Sequence, residues 1–245
     1  MIFHTIIPMK KERLDKIIAS CGLYSRKEVK QLVREGRISV DGSVKVKPED
    51  KFDPEAAQIQ IDARVIHYQQ FTYLMLHKPA GYVTATTDYK DLTVMDLLPQ
   101  KYRTKGLFPV GRLDKDTEGL LLITDDGMLA HNLLAPGKHV DKVYAARING
   151  QLTAEDQEAF ARGLILSDGT RCLPAVLELT PDPAEVIVTI REGKYHQVKR
   201  MLASRGAPVI SLKRLQMGPL YLDSSLSPGE YRELTAQEIS SLKDL

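Results

Sequence analysis

Residues 111–119 read GRLDKDTEG and set three carboxylates, Asp114, Asp116 and Glu118, at alternate positions ahead of the apolar run Leu120 to Ile123. Carboxylates spaced in this way suit three kinds of chemistry. Asp114, Asp116, Glu118 and Gly119 match the opening ligand positions and the invariant glycine of an EF-hand calcium loop, with Asp125 at its closing position. That match is partial, because the template needs an amphipathic helix on both sides. LFPVG before the loop holds a proline in a strand-like run, and LLLIT fills loop positions with apolar side chains. A protonated and an ionised carboxyl together serve glycoside hydrolysis, and residues at i and i+2 share a face of an extended chain. The third reading makes these residues loop acids that bond local backbone groups, and it is the preferred one for Asp116 and Glu118. Asp114 stands apart because Arg112 lies two residues before it.

The elements that must hold this stretch read as a mixture. Strand-like runs (YLMLHK, GLFPVG, LLLIT, KVYAARI, AVLELT, EVIVTI) alternate with helical ones (TVMDLLP, MLAHNLLA, AEDQEAFARG, HQVKRMLASRG), with no internal repeat. KVYAARI and EVIVTI place polar residues at alternate positions, which fits antiparallel or mixed pairing better than a parallel sheet buried on both faces. The expected class is α+β, with helices on the faces of a mixed, mainly antiparallel sheet.

A chain of 245 residues exceeds one ordinary domain and predicts two unequal ones. Hydrophobic content of 43% with 27% charged residues describes a soluble globular protein rather than a disordered one. No apolar stretch approaches the roughly 18 to 20 residues of a membrane span, and MIFHTIIPM lacks the basic and apolar regions of a secretion signal, so a cytoplasmic protein is expected. Met9 opens a charged segment, and residues 1–8 read as an upstream start. Cys21 and Cys172 have no metal-like spacing and read as two buried or free thiols, so no metal site is expected. Charge is uneven. Residues 10–51 carry 12 Lys/Arg against 7 Asp/Glu, whereas the remainder carries 22 against 25. A basic module on a near-neutral body points to a polyanionic partner.

Within that module, RLDKIIASC places Leu14, Ile17, Ile18 and Cys21 at helical spacing, with Gly22 as a stop. Ser25 and Glu28 form a capping-box pattern for a second helix that buries Val29, Leu32 and Val33 and ends at Gly36. Its other face carries Arg26, Lys27, Lys30 and Arg34, and Arg37 follows on the adjoining strand. RISVDGSVKV alternates around Asp41-Gly42, a strong signal for a hairpin with a type I′ turn, and IQI at 59–61 reads as the strand that closes the sheet. The run RLDKIIASCGLYSRKEVKQLVREGRISVDG resembles the S4 RNA-binding domain. That resemblance implies binding of structured RNA through Arg13, Ser25, Arg26, Lys27, Lys30, Arg34 and Arg37. The pattern breaks at residues 63–70, where the linker is placed, giving an S4-like domain over 10–66 and a larger domain over 71–240.

The larger domain carries VGRLDKDTEGLLLITDDG, LMLHKPAGYVTA, KHVDKVYAARI, REGKYHQVKRML and MGPLYLDSSLSPGEYREL, and these resemble the motifs of the RsuA-type pseudouridine synthases across nearly all of residues 72–235. The resemblance implies isomerisation of a uridine in RNA with Asp114 as the catalytic residue, Arg112 filling the gap left by an extruded base, and Tyr144 stacking on the target uracil. Lys199 is offered as the cation that keeps Asp114 ionised; Arg200 is the competing choice, since an arginine occupies this place in the wider superfamily. His131 and His196 read as structural or RNA-contacting residues. One carboxylate suffices for such a reaction, because no water is consumed and nothing is oxidised, so no cofactor is expected. The base must first be flipped from its stack, at a cost of a few kcal/mol that RNA contacts elsewhere offset. The motif wording is closest to the branch acting on 16S rRNA, free or in a small-subunit assembly intermediate. Action on 23S rRNA, or a non-catalytic S4-type assembly factor, are the alternatives, and a monomer is the expected state.

Overall fold

The structure, a computed structural model, describes residues 11–21, 24–54, 56–66, 68, 71–103 and 105–245. Residues 1–8, the stop at Gly22 and the linker positions 67, 69 and 70 lie outside the described residues. The chain divides into two compact units, Met1–Gln70 and Phe71–Leu245. The fold is α+β: a small helical and stranded N-terminal region, then a large mixed sheet.

In the first unit, β1 (Glu12–Arg13) leads into α1 (Leu14–Ser20), and α2 (Arg26–Arg34) follows. Then come β2 (Ile38–Val40), β3 (Lys51–Phe52), β4 (Ile59–Ile61) and β5 (Arg64–Ile66). Leu14, Ile17 and Ile18 are fully buried on one face of α1, and Val29 and Leu32 on one face of α2, against Ile38, Val40, Ile59 and Ile61 of the sheet β2-β4-β5. Burying each such side chain contributes roughly 1.5–3 kcal/mol, which is what fastens two helices this short. The capping box forms: Ser25 Oγ accepts from the Glu28 amide at 3.3 Å while the Ser25 amide donates to Glu28 Oε2 at 2.7 Å. The expected hairpin forms only in its turn. Asp41 and Gly42 take φ of 50° and 80°, and Val40 and Ser43 exchange two backbone hydrogen bonds of 2.9 Å. Beyond that bridge the return strand is absent among the described residues, and β2 pairs instead with β4. Ile59 and Ile61 offer apolar partners for Ile38 and Val40, while the segment after the turn holds Lys45 and Lys47. The reading of residues 63–70 as irregular is corrected at Arg64–Ile66, which adds β5 to β4.

The second unit runs β6 (Tyr73–Lys78), α3 (Gln100–Arg103), β7 (Phe108–Pro109), β8 (Thr117–Thr124), α4 (Gly127–Leu134), β9 (Lys142–Ile148), α5 (Ala154–Arg162) and β10 (Val176–Leu179). It continues with β11 (Glu185–Ile190), α6 (Gln197–Ser204), β12 (Val209–Met217), β13 (Leu220–Tyr221), β14 (Tyr231–Glu233) and α7 (Ala236–Lys243). The sheet order is β10-β11-β9-β12-β8-β6-β14, with β12 parallel to β8 and the other pairs along this order antiparallel. Leu121 and Ile123 of β8 join one core with α5 and α6, and Leu120 and Leu122 join another with α4 and α7. A strand covered on both faces reads as a continuous apolar run. β9 is buried on one face only, that of Tyr144, Ala146 and Ile148, and so reads as alternating. TVMDLLP, expected as a helix, makes only a 3-10 turn over Val94–Leu97. No helix among the described residues is long and apolar enough to cross a membrane.

Gly119 marks where β8 leaves β12 for β6. Its φ is 108°, and a Cβ there would lie 2.2 Å from the Arg214 carbonyl oxygen. Only glycine permits that approach. The loop bearing Asp114 is thereby brought in beside Leu212 of β12 and the first turn of α6.

Candidate active site

Residues 113–117 are held from the side of β6. Lys78, fully buried at the end of that strand, donates from Nζ to four carbonyl oxygens: Pro79 at 3.0 Å, Asp114 at 3.0 Å, Lys115 at 3.3 Å and Thr117 at 2.8 Å. Burial pushes its pKa down to about 8, against the opposing pull of Asp116 and Asp114. Thr84 Oγ1 donates to the Leu113 carbonyl at 2.7 Å and accepts from the Leu113 amide at 3.1 Å. The Gly81 amide donates to the Lys115 carbonyl at 2.7 Å, and Lys115 pairs with Asp91 at 2.6 Å. A loop whose backbone is bonded at so many points does not rely on its own side chains for shape. The sequence pattern alone misses Lys78, although a lysine closing the apolar strand YLMLHK is a signal of a buried cation.

Asp114 meets a lysine and a histidine at the N-terminal end of α6. Lys199 Nζ lies 3.0 Å from Asp114 Oδ2, and His196 Nε2 lies 3.4 Å from Oδ1. Lys199 also donates to Asp116 at 2.6 Å. Burial alone pulls the Lys199 pKa down, but the hydrogen bonds to Asp116 and Asp114 outweigh it and the net shift is upward. The same bond from Lys199 holds the Asp116 carboxyl below its usual range. Arg200 reaches elsewhere, pairing with Asp168 at 2.5 Å. Two expectations for the acids change. Asp116, whose side chain is 75% exposed, shares the lysine with Asp114 instead of bonding local backbone alone. Glu118 is not a loop acid but the second residue of β8, in a surface hollow of the sheet with Arg147 and Lys213. His196, expected only as structural or RNA-contacting, is an Asp114 neighbour.

Arg112, Asp114, Tyr144, His196 and Lys199 line one open cleft of about 410 Å³. Tyr144 is buried on β9, opposite Val188 and Arg214, and with Ile190, Val198 and Leu212 it makes an apolar wall. Arg112 is exposed at the mouth of the cleft and makes no side-chain hydrogen bond or ion pair among the described residues. An apolar wall, a carboxylate beside a lysine and one arginine without a side-chain partner suit an extruded aromatic base attached to a sugar. The cleft is open, and the Asp114 side chain is 31% exposed.

Residues 72–204 match the family model for RNA pseudouridylate synthase, and residues 12–56 match the S4 domain. The chain is 44% identical over 236 residues to an uncharacterised RNA pseudouridine synthase of Bacillus subtilis (strain 168), covering 95% of this chain and 98% of the relative. It is also 40% identical over 232 residues to the ribosomal small subunit pseudouridine synthase A of Escherichia coli (strain K12), covering 94% and 99%. The chain belongs to the RNA pseudouridylate synthase family. A crystal structure of a pseudouridylate synthase superposes on the synthase with a TM-score of 0.66 at 35% identity, over 94% of this chain and 99% of that one. The synthase is therefore an isomerase acting on RNA, with an S4 domain ahead of its catalytic fold.

The S4 unit of the synthase sorts its predicted RNA-contacting residues into three groups. Arg26, Lys27, Lys30 and Arg34 lie within about one quarter to one third of the α2 circumference, all exposed and forming no salt bridge among the described residues. Arg13 and Arg37 are engaged internally. Arg13 clamps the buried Asp15 through Nε at 3.0 Å and Nη2 at 2.8 Å, and Arg37 bonds Asp62 and Glu35. Ser25 acts as the α2 cap.

Proposed function

We propose that this synthase converts one uridine of 16S rRNA to pseudouridine, in the cytoplasm, with Asp114 as its catalytic carboxylate. The observation that carries the reading is the pairing of Asp114 with Lys199 at 3.0 Å in a cleft walled by Tyr144. Preference for the small subunit is supported by relatives named for it in Escherichia coli and Vibrio cholerae, each 40% identical.

In this reading the S4-like domain, residues 10–66, holds the RNA through Arg26, Lys27, Lys30 and Arg34, with Ser25 capping their helix. Arg13 and Arg37, each paired with acids of the same domain, contribute by fixing the shape of the surface that meets the RNA. The uridine leaves its stack for the cleft of the catalytic domain, residues 71–240, where its base lies against Tyr144 and Arg112 enters the vacated place. Asp114, paired with Lys199, stabilises C1′ as its bond to N1 breaks, or attacks it and is displaced when C5 bonds there. The detached uracil turns within the cleft, C5 bonds to C1′, the C5 proton is lost and N1 gains one. Every atom of the nucleoside is conserved apart from that exchange. Lys78 keeps the carboxylate at the sugar by fixing the backbone that carries it.

Mapping pseudouridines in ribosomal RNA from cells with and without the synthase tests the substrate. Loss of one modification from 16S rRNA is expected. Loss from 23S rRNA would move the synthase to the large subunit, and an unchanged map together with intact rRNA binding would leave an assembly factor.

A further inference from the structure

Tyr195 is 75% exposed, yet its ring is not loose: it lies face to face on the His196 imidazole, with centroids 3.8 Å apart and planes 18° from parallel. This is the one stacked ring pair among the described residues; the other two ring contacts are edge-on. His196 in turn lines the cleft and approaches Asp114, while Tyr195 is outside the cleft wall. The tyrosine therefore sits one ring beyond the catalytic carboxylate, at the rim.

The backbone beneath it is built to hold this pose. His196 takes φ 48° and ψ 32°, a left-handed conformation that a histidine rarely keeps unless its surroundings fix it. Those surroundings are dense. Glu192 accepts from the Leu173 amide at 2.8 Å and from Gln197 Nε2 at 2.6 Å, and pairs with Lys194 at 2.8 Å. The Lys194 amide donates to Gln197 Oε1 at 3.0 Å, and Lys194 Nζ donates to the Arg171 carbonyl. Arg200, anchored by Asp168, donates to the Tyr195 carbonyl at 3.3 Å. A rigid turn that spends this many bonds to display an aromatic ring in water gains nothing in folding from the display. An aromatic face already fixed in place loses little entropy when a base stacks on it.

From this geometry we infer that Tyr195 and His196 form a stacking subsite for the unpaired base next to the isomerised uridine. The inference rests on the reading that the uridine reaches Asp114. When that nucleotide flips, its neighbour loses a stacking partner too. The open face of Tyr195 supplies a substitute at the mouth of the cleft, so the RNA strand is held flared while the uracil turns. Such a subsite binds any base, since every base has a π face; it contributes affinity rather than sequence choice.

Two measurements test it on the full chain. The first is tritium release from 16S and 23S transcripts labelled at uridine C5, with Tyr195→Ala and Tyr195→Phe. A contact kept through ground and transition states appears in KM alone, so the alanine variant should raise KM about tenfold with kcat within about twofold, and phenylalanine should restore it. The second needs no turnover: a short single-stranded oligoribonucleotide, uridine-centred with 2-aminopurine on either side, is titrated at low salt. Its fluorescence should be quenched equally by the wild type and by Asp114→Asn, remain unquenched with Tyr195→Ala, and be quenched again with Tyr195→Phe. Quenching by the alanine variant as strong as by the wild type overturns the subsite, as does a defect that phenylalanine leaves unrepaired. Failure of the Asp114 reading has a different signature, namely tritium release by Asp114→Asn.

Discussion

Helices α2 and α6 both carry clustered cations, and they use them in opposite ways. On α2, Arg26, Lys27, Lys30 and Arg34 form no salt bridge among the described residues, so their charge is presented whole to a polyanion. On α6, Lys199 is bound by Asp114 and Asp116, and Arg200 by Asp168. Neutralised cations attract little at a distance but fix geometry at short range. In the proposed reading, gripping RNA is thus separate from placing one carboxylate, and each half can be broken alone.

The largest effect belongs to the cleft. Asp114→Asn keeps the side-chain size and removes the charge, so kcat should fall by about 10³-fold or more, the scale expected for a group used in the transition state. Binding of rRNA, measured by filter retention, should change less than about twofold, because α2 is untouched. Retained turnover in this variant would falsify the role given to Asp114.

Next is Lys78→Met, which attacks the cleft without touching RNA. Carbonyls of Pro79, Asp114, Lys115 and Thr117 lose a shared donor, although Asp114 and Lys115 keep bonds from the Thr117 and Gly81 amides at 3.0 and 2.7 Å. A net loss of roughly 3 kcal/mol in stability follows from leaving buried acceptors short of a donor. Turnover should fall further than stability accounts for, since a loop displaced by about 1 Å can cost on the order of 10²-fold. The pH dependence identifies the lysine itself. Its folded pKa is lowered to about 8, so above that pH the unfolded chain binds more protons at this site than the folded one. The contribution of Lys78 to stability therefore rises with pH from about 8 to the ordinary lysine range. Denaturant titrations of wild type and variant should differ by that rise, and parallel curves would show that Lys78 is not the titrating group.

How far this contrast was legible in the sequence depends on what each residue's neighbours are. The α2 face could be read because helix period alone puts four cations together, and the capping box marks where the helix begins. β8 could be read because burial on both faces leaves an uninterrupted LLLI. β12 was missed: VISLKRLQM carries Lys213 and Arg214, and Arg214 is only 2% exposed, its Nε donating to the Leu120 carbonyl at 2.8 Å. A buried arginine in the middle of a sheet looks like a surface residue until the strand beside it is known. Lys78 and the approach of His196 to Asp114 were hidden for the same reason, since both depend on partners distant in sequence. Lys199 and Tyr144 came from family resemblance and not from periodicity.

On the gripping side, replacing Arg26, Lys27 and Lys30 by glutamate should weaken rRNA binding and leave kcat at saturating RNA within about twofold. Each phosphate that the helix no longer neutralises flattens the plot of log affinity against log salt by roughly 0.7 to 0.9, so three of them lower the slope by about 2 to 3. Arg112→Ala is the control from the cleft and should alter the slope by no more than about one phosphate's worth. An unchanged slope in the triple variant would remove α2 from the RNA surface.

Asp116→Asn sharpens the comparison most finely, because it changes only how Lys199 is shared. Asp116 is mostly exposed, and an exposed ion pair contributes at most about 1 kcal/mol. Its removal leaves Lys199 with Asp114 as its remaining carboxylate partner at 3.0 Å. The net charge around the cleft also becomes more positive by one, which favours phosphate approach slightly. Both consequences act in the same direction on binding and neither removes a reacting group, so kcat should stay within about threefold and KM should fall modestly. A loss of kcat comparable to that of Asp114→Asn would mean that the two carboxylates work as a pair, and that the cation of α6 is divided between two chemical groups rather than lent to one.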